Sequence, residues 1–468
     1  MERILRRKRE RIKKRKNKTN QENTMMTKDF LKKGVTTKAL MTFMALAASN
    51  YSHAQQQATI TVSNPTTAPR TELIELNMSD VKAKLGNATP KNGETYIVKN
   101  KRGQQIGSQI THDGKLLIDA SVRPNGDATY IVSIGKAAAQ KVWTTGALYK
   151  IRKDDIAWEN DRCAYRVYGP ALQKTGERSF GTDIWVKNTP DTVVCQRYYK
   201  DMNGNIEGDK IDAKARELEK QAKAEKNSTK AAQLTEQAKA LWAESREVDI
   251  TTSFHLDHGN GLDPYRVGAT LGIGAPSLMV GKTQYLPYCW KTYKILDNGP
   301  LRFTVELAYN PTDIGSMKNV VEHRIISLDK GSNFNKMIVW YDGLTSPTDF
   351  ATGFPIHEED TETKTLAKDY VSYADPTDNQ EINQSQVFVG VLFPQGVDNT
   401  YYQLFDQKHD GATGHALGLK RGLKNQEKYS YYFGAAWSKY DVRSYSEWQL
   451  RIQQFLNALK TPLKVTMK

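Results

Sequence analysis

Cysteine is scarce in this chain: three residues in 468, Cys163, Cys195 and Cys289. None stands at metal-ligand spacing, so a zinc ribbon or finger is excluded, as is a small scaffold held by a net of disulfides. The three are expected to be buried thiols acting as small apolar side chains, with one disulfide as the alternative. Long hydrophobic runs are missing too. The apolar stretch Ala39–Ala48 falls far short of the ~20 residues that cross a bilayer, and no later stretch is apolar enough to do so. There is no phosphate-binding Gly/Lys loop, no Gly-x-Ser-x-Gly and no acidic calcium loop, and Gly272-Ile273-Gly274 lacks the rest of a dinucleotide fingerprint. Nucleotide chemistry is therefore disfavoured.

Positive charge is abundant, with a formal net of +15, but it is lopsided. Residues 1–54 carry 15 of the 67 Lys/Arg and 4 of the 52 Asp/Glu, which leaves the remainder at only +4. Nucleic acid is thereby dropped as a partner of the folded part. Within those 54 residues, Lys28, Lys32, Lys33 and Lys38 surround the start of the apolar run, and Ser52-His53-Ala54 is a small-x-small site before Gln55. Together they read as a secretory signal peptide cleaved near Ala54, with the mature chain periplasmic or extracellular. The basic run Arg3–Lys18 lies upstream of a start at Met25 or Met26, or forms a long n-region; a basic arm for RNA or anionic lipid is the alternative.

After a polar linker (residues 55–71), residues 72–468 are expected to form one large domain. Thr95–Val98, Ala128–Ile134, Leu271–Ala275, Thr283–Trp290, Leu301–Tyr309, Val320–Leu328 and further short runs are β-rich and separated by Gly/Asn/Asp turns. Such spacing without a βαβ rhythm predicts a mostly β protein, a large antiparallel β-sandwich. Residues 209–247 differ: Ala, Lys and Glu dominate, Gly and Pro are absent, and Asn227-Ser228-Thr229 interrupts the run. This predicts an inserted helical hairpin on the outside of the sheet, and Ser446–Leu459 predicts a closing helix.

The densest polar chemistry is Asp257-His258-Gly259-Asn260-Gly261-Leu262-Asp263-Pro264-Tyr265-Arg266-Val267-Gly268, which reads as a tight loop between strands. Three motifs in chain order, Trp158-Glu159-Asn160-Asp161-Arg162-x-Ala164-Tyr165-Arg166-x-Tyr168-Gly169, His258-Gly259-x-Gly261-Leu262-Asp263-x-Tyr265-x-Val267-Gly268-x-x-Leu271-Gly272-x-Gly274, and Tyr432-Phe433-Gly434-Ala435-Ala436-Trp437-Ser438 followed by Glu447-Trp448, resemble the bacterial domain of unknown function numbered 4861. The resemblance covers roughly Glu72 to the C-terminus. It implies a secreted protein often encoded beside enzymes that degrade pectin and other uronate glycans. It also implies a galactose-mutarotase-like supersandwich, whose concave sheet faces the sugar.

Three groups of residues are candidates for sugar chemistry. Asp161, Arg162 and Arg166 share a strand region, and guanidinium groups there suit the carboxylate of an acidic sugar; a structural Arg–Asp network is the alternative. His255, Asp257, His258, Asp263 and Tyr265 could supply a general acid or base oriented by a carboxylate. His357 and Glu358 form the third group. Trp290 and Tyr341 are candidate stacking platforms, and His323 is expected to be a core histidine. No cofactor is expected; a divalent cation has two histidines but no third ligand to support it. The partner expected is a uronate-containing oligo- or polysaccharide. β-Elimination is the first expectation, hydrolysis by Asp161 or Glu159 with Asp263 or Glu358 the second, an epimerase the third, and a glycan-binding scaffold the alternative without catalysis. Edman sequencing of the exported protein should begin at or near Gln55; an intact Met1 or Met25 would refute the cleavage site.

Overall fold

The computed structural model describes residues 56–357, 363–376 and 385–468. The expected signal peptide and Glu358 lie outside the described residues. Alternation of apolar and polar residues decides which segments become strands. In Ala58–Asn64, Ala58, Ile60, Val62 and Asn64 point inward. This segment was expected to be linker because its other face is all Thr and Ser. It is instead a strand, paired with Gly126–Gly135 on one side and the C-terminal strand Lys464–Met467 on the other. With Thr95–Asn100 and Gln105–Ile106 they make a five-stranded sheet. That sheet packs through Ile60, Val62, Val98 and Val132 on Ile74, Leu116, Ile118 and Val122 of a three-stranded sheet.

The larger sandwich follows. Its first layer is a nine-stranded antiparallel sheet running from Trp290–Asn298 to Lys364–Leu366. Its second layer consists of a four-stranded sheet (Thr145–Tyr149, Asp155–Glu159, Cys163–Val167, Thr182–Val186) and a five-stranded sheet centred on Thr348–Ile356. Trp158, Tyr165, Ile184 and Phe354 of the second layer meet Val305, Ile326, Val339, Val389 and Phe433 of the first in one buried core. The chain is thus the mostly β, antiparallel sandwich the sequence implies. Two expected strands are irregular: Leu271–Ala275 forms only an isolated bridge, Thr182 with Gly272, and from the 283–290 run only Thr283–Tyr285 is a strand before the next begins at Trp290. The bridges Thr182–Gly272 and Val186–Leu262 run along the edge of the four-stranded sheet.

The helical hairpin is present and longer than expected: Val194–Ala224 (31 residues) and Ser228–Thr252 (25 residues) rather than 209–247. Composition revealed only the middle, because the feet carry apolar and aromatic residues that belong to the sheet. Val194, Tyr198 and Phe254 pack with Tyr149, Ala157, Ala164 and Trp185 on the outer face of the four-stranded sheet. Farther out, only Ile211, Ala215 and Ala238 are buried hydrophobic residues. Asn227 caps the second helix by accepting from the Lys230 amide (3.0 Å). Gly204 permits the helices to approach closely, since a Cβ there would lie 2.0 Å from Thr252 Oγ1. The closing helix, Tyr445–Lys460, is capped by Ser444, which accepts from the Glu447 amide, while Glu447 accepts from the Arg443 amide just before the cap.

Replacing Lys210–Glu247 by a short Gly/Ser linker should therefore leave the β circular-dichroism signal and solubility intact. Tyr198→Ala, at the foot, should cost about 3–5 kcal/mol in urea denaturation, as for other large aromatic truncations in a core. Equal effects of the two changes would show that the distal hairpin is part of the core.

Candidate functional site

The strand register places charge on the outer face of the four-stranded sheet. Arg166 pairs with Asp183 across neighbouring strands, so both side chains point the same way. Asp155 lies on the next strand, two residues from Ala157, the partner of Arg166. Arg166 Nε donates to Asp183 Oδ2 (2.6 Å), Nη2 donates to Asp263 Oδ2 (2.7 Å), and Nη1 lies 3.7 Å from Asp155 Oδ2. Tyr168 donates to Asp183 (2.7 Å) and Tyr198 to Asp155 (3.3 Å). The guanidinium also lies over the rings of Tyr168, Trp185 and Phe254. All these side chains are buried. Burial pushes the Asp155 acid up to about 6 against the pull of Arg166, and the Asp183 acid likewise to about 6, with Asp263 adding repulsion. Burial would lower the Arg166 pKa, but Asp183 and Asp263 outweigh it and hold the cation firmly charged.

Asp263 reaches this face because the segment 253–275, though irregular, is tied down like a strand. Leu262 exchanges both backbone hydrogen bonds with Val186 (2.9 and 3.1 Å). Ile273 donates to Thr182 and Gly274 to Gly353, both at 2.8 Å. Gly261 has φ +97°, and a Cβ there would sit 2.0 Å from the Val186 carbonyl oxygen, so only glycine fits. Asp257 Oδ1 accepts from the amides of Gly259 (2.9 Å) and Gly261 (2.8 Å), which shapes the turn.

The expected site residues therefore separate. His258 is exposed and contacts the Ser253 carbonyl through Nε2 (2.8 Å), away from the carboxylates expected to orient it; it is a turn residue. His255 is the surface end of the cluster: its side chain is 55% exposed, with Nδ1 3.1 Å from the Asp263 carbonyl oxygen. Arg166 is no open grip for a substrate carboxylate, because its own carboxylates occupy it. Arg162 pairs with Asp441 and donates to the Gly331 carbonyl, while Asp161 accepts from the Gly331 amide (2.6 Å). Trp290 and Tyr341 are core residues, not platforms; Tyr341 donates to buried Glu322 (2.8 Å). His323 is the reverse case, facing outward, stacked on Trp340 at 5.0 Å and paired with Asp342 (2.9 Å). Glu159 is consumed by Lys187 and the Val193 and Val194 amides. The cysteines are free; Cys163 and Cys289 are buried as expected, but Cys195 is exposed.

What the fold brings together instead is Tyr265 with His357. His357, one residue beyond the strand Thr348–Ile356, holds Asp375 Oδ2 at 2.6 Å through Nδ1. Asp375 is buried, and the His357 side chain is 11% exposed. Tyr265 packs nearly perpendicular to the imidazole at 6.0 Å between centroids. Its buried hydroxyl has no hydrogen-bond partner among the described residues, and burial, followed by the charges of Asp375 and Asp183, keeps the phenol protonated. His415 lies near: its Nε2 accepts from the Leu271 amide (3.3 Å), and burial lowers its pKa to about 3, so it stays neutral. Asp375, Asp183 and Asp155 are not candidates from the sequence; His415 reads there only as a histidine in a Gly-rich loop able to reach the site, and it lies instead in the strand Ala412–Leu423. Only Asp183 had a local signal, its place at the start of a strand beside the arginine-bearing one. Among the described residues no three His, Cys, Asp or Glu are grouped to hold a metal ion, and no helix is long and apolar enough to cross a membrane.

Fold and site define a large antiparallel β-sandwich with a buried ion cluster beside a His–Asp pair. The chain belongs to the family described as Domain of unknown function (DUF4861), matched over residues 62–465. It is similar to "Uncharacterized protein P7" of Formosa agariphila, 25% identical over 455 residues, covering 92% of this chain and 99% of that one. Two solved structures from Enterococcus faecalis are distant neighbours. One is a glycosyl hydrolase family 38 protein (TM-score 0.45, 9% identity, 88% of this chain and 47% of that chain). The other is an alpha-mannosidase (TM-score 0.43, 9% identity, 91% and 48%). The chain spans about half the length of these neighbours, and likeness at that level carries no functional argument.

The ion cluster makes a pH prediction. Asp155 and Asp183 hold protons in the folded state that the unfolded chain has released, because their acids are raised from 3.8 to about 6. Their contribution to stability is full below pH about 4 and is lost as pH rises through about 6. Asp155→Asn, which cannot ionise, should flatten the fall in unfolding free energy between those values. An unchanged slope would show that Asp155 does not titrate there.

Proposed function

We propose that the protein is a secreted carbohydrate-active enzyme of uronate-rich glycan breakdown, with His357 as its proton-transfer group. The observation that carries this is the 2.6 Å His357–Asp375 pair, one residue past the end of the strand Thr348–Ile356. A buried carboxylate fixes the imidazole's orientation and tautomer, and supports the imidazolium that forms when the ring takes a proton. Tyr265, packed edge-on, holds the ring in place. The pairing supports β-elimination better than hydrolysis. Of the four carboxylates suggested for hydrolysis, Glu159 and Asp263 are locked in buried ion pairs with Lys187 and Arg166, Asp161 accepts from the Gly331 amide, and Glu358 lies outside the described residues.

In the elimination, His357 removes the proton next to the uronate carboxylate. The C4–O bond breaks, a C4–C5 double bond forms, and the proton passes from the imidazolium to the departing oxygen. The sugar carboxylate needs a cation to stabilise the developing charge. We assign that role to Arg266, exposed and next to Tyr265 in the chain.

The test is incubation with uronate polymers. Ultraviolet absorbance reports the unsaturated product of a lyase, and new reducing ends without absorbance report a hydrolase. His357→Ala should lower turnover by ~10²–10⁴ in protein that circular dichroism shows to be folded, whereas His258→Ala should stay near wild type. A folded His357→Ala protein with full turnover would overturn the assignment. Binding without either product would make the protein a glycan-binding scaffold.

A further inference from the structure

A second region carries ligand-binding chemistry well away from His357. The strand Thr145–Tyr149 is the outer edge of the four-stranded sheet, three strands from Asp183. Between it, the start of the hairpin's first helix and the strand Trp290–Asn298 lies an open cleft of about 810 Å³. That falls within the size range of small-molecule sites. Its floor is rigid. Asn298 exchanges two hydrogen bonds with the Gly146 backbone (3.2 and 2.9 Å), and a Cβ on Gly146 would strike Phe303.

Its walls hold two tyrosine rings that the fold leaves uncovered, Tyr199 (52% exposed) and Tyr293 (39% exposed), from different elements. Large aromatic side chains normally bury their rings, so two that face one cleft form a ready apolar surface with polar tips. Lys150, exposed on the lining, makes no ion pair among the described residues. The only carboxylate on the lining, Glu159, is already neutralised by Lys187. The cleft therefore offers flat aromatic faces, hydrogen-bonding groups and one uncompensated positive charge.

We propose that this cleft is a second saccharide site, which binds an acidic sugar segment with its pyranose C–H faces against Tyr199 and Tyr293 and its carboxylate toward Lys150. This rests on the reading of the protein as glycan-directed, but not on His357 being catalytic. Cys195 makes the cleft testable: it lines the wall and is the chain's one exposed thiol.

The experiment follows the alkylation rate of Cys195 by iodoacetamide in the full-length mature protein, with a galacturonate trisaccharide or its neutral galactose counterpart as probe. The acidic probe should slow alkylation saturably, by about tenfold or more at saturation, and the neutral one should act only at higher concentration. Tyr199→Ala and Lys150→Gln should each weaken the half-protecting concentration at least several-fold, and His357→Ala should leave it unchanged. Alkylation indifferent to both sugars overturns the proposal, whatever turnover assays show. Protection lost in His357→Ala but kept in Tyr199→Ala assigns binding to the His357 region and overturns it equally. Loss of turnover in His357→Ala with protection intact shows two independent sites.

Discussion

A guanidinium buried without counter-charge would unfold its surroundings, and Arg166 is buried with three carboxylates around it. That constraint organises this half of the molecule. Removing one member of such a buried set typically costs about 3–5 kcal/mol, because the others are left unpaired in a low dielectric. Each carboxylate comes from a different segment: Asp155 and Asp183 from two strands, Asp263 from the loop 253–275. Tyr198, bonded to Asp155, comes from the helical hairpin. One cation thus ties sheet, loop and hairpin together, and the partial protonation of Asp155 and Asp183 relieves the excess of negative charge.

The loop's position has a consequence for chemistry. With Asp263 fixed on Arg166 and Leu262 on Val186, Tyr265 two residues on is delivered against His357. The polar stretch richest in candidate catalytic groups is therefore mostly scaffold: Asp257 shapes a turn, His258 faces solvent and Asp263 neutralises a buried charge. The acid–base role proposed above therefore goes to a histidine from another sheet, whose carboxylate partner comes from the opposite layer. The two Enterococcus faecalis neighbours are too remote to add to this; the His357–Asp375 geometry stands on its own.

Much of the fold was legible in the sequence. Period-two alternation marks most strands, the Ala/Lys/Glu composition marks the middle of the hairpin, and the run Ser446–Leu459 marks the closing helix. What failed did so for physical reasons. Ala58–Asn64 reads as linker because its solvent face is Thr and Ser, and its partners, Lys464–Met467 among them, lie far away in sequence. Arg166 reads equally as a grip for a sugar carboxylate or as part of a structural Arg–Asp network, and only the cross-strand register, which puts Asp183 opposite, decides for the network. Trp290 and Tyr341 look like platforms until the second layer covers them. His357 was visible as a candidate, but Asp375 was not, because nothing local distinguishes a carboxylate at the end of an apolar strand.

The central claim is that the irregular segment 253–275 is held as firmly as a strand, by Arg166 through Asp263 and by backbone pairing with the sheet. Hydrogen–deuterium exchange with peptide-level mass spectrometry reads this directly. The amides of Leu262, Asp263, Ile273 and Gly274 should exchange as slowly as those of the paired strand Thr182–Val186, and much faster in Arg166→Met, while the strands Arg70–Asn77 and Lys115–Val122 of the three-stranded sheet stay protected. Rapid exchange of the segment in the unaltered protein would contradict the account, since a mobile loop could neither close the ion cluster nor hold Tyr265 against His357.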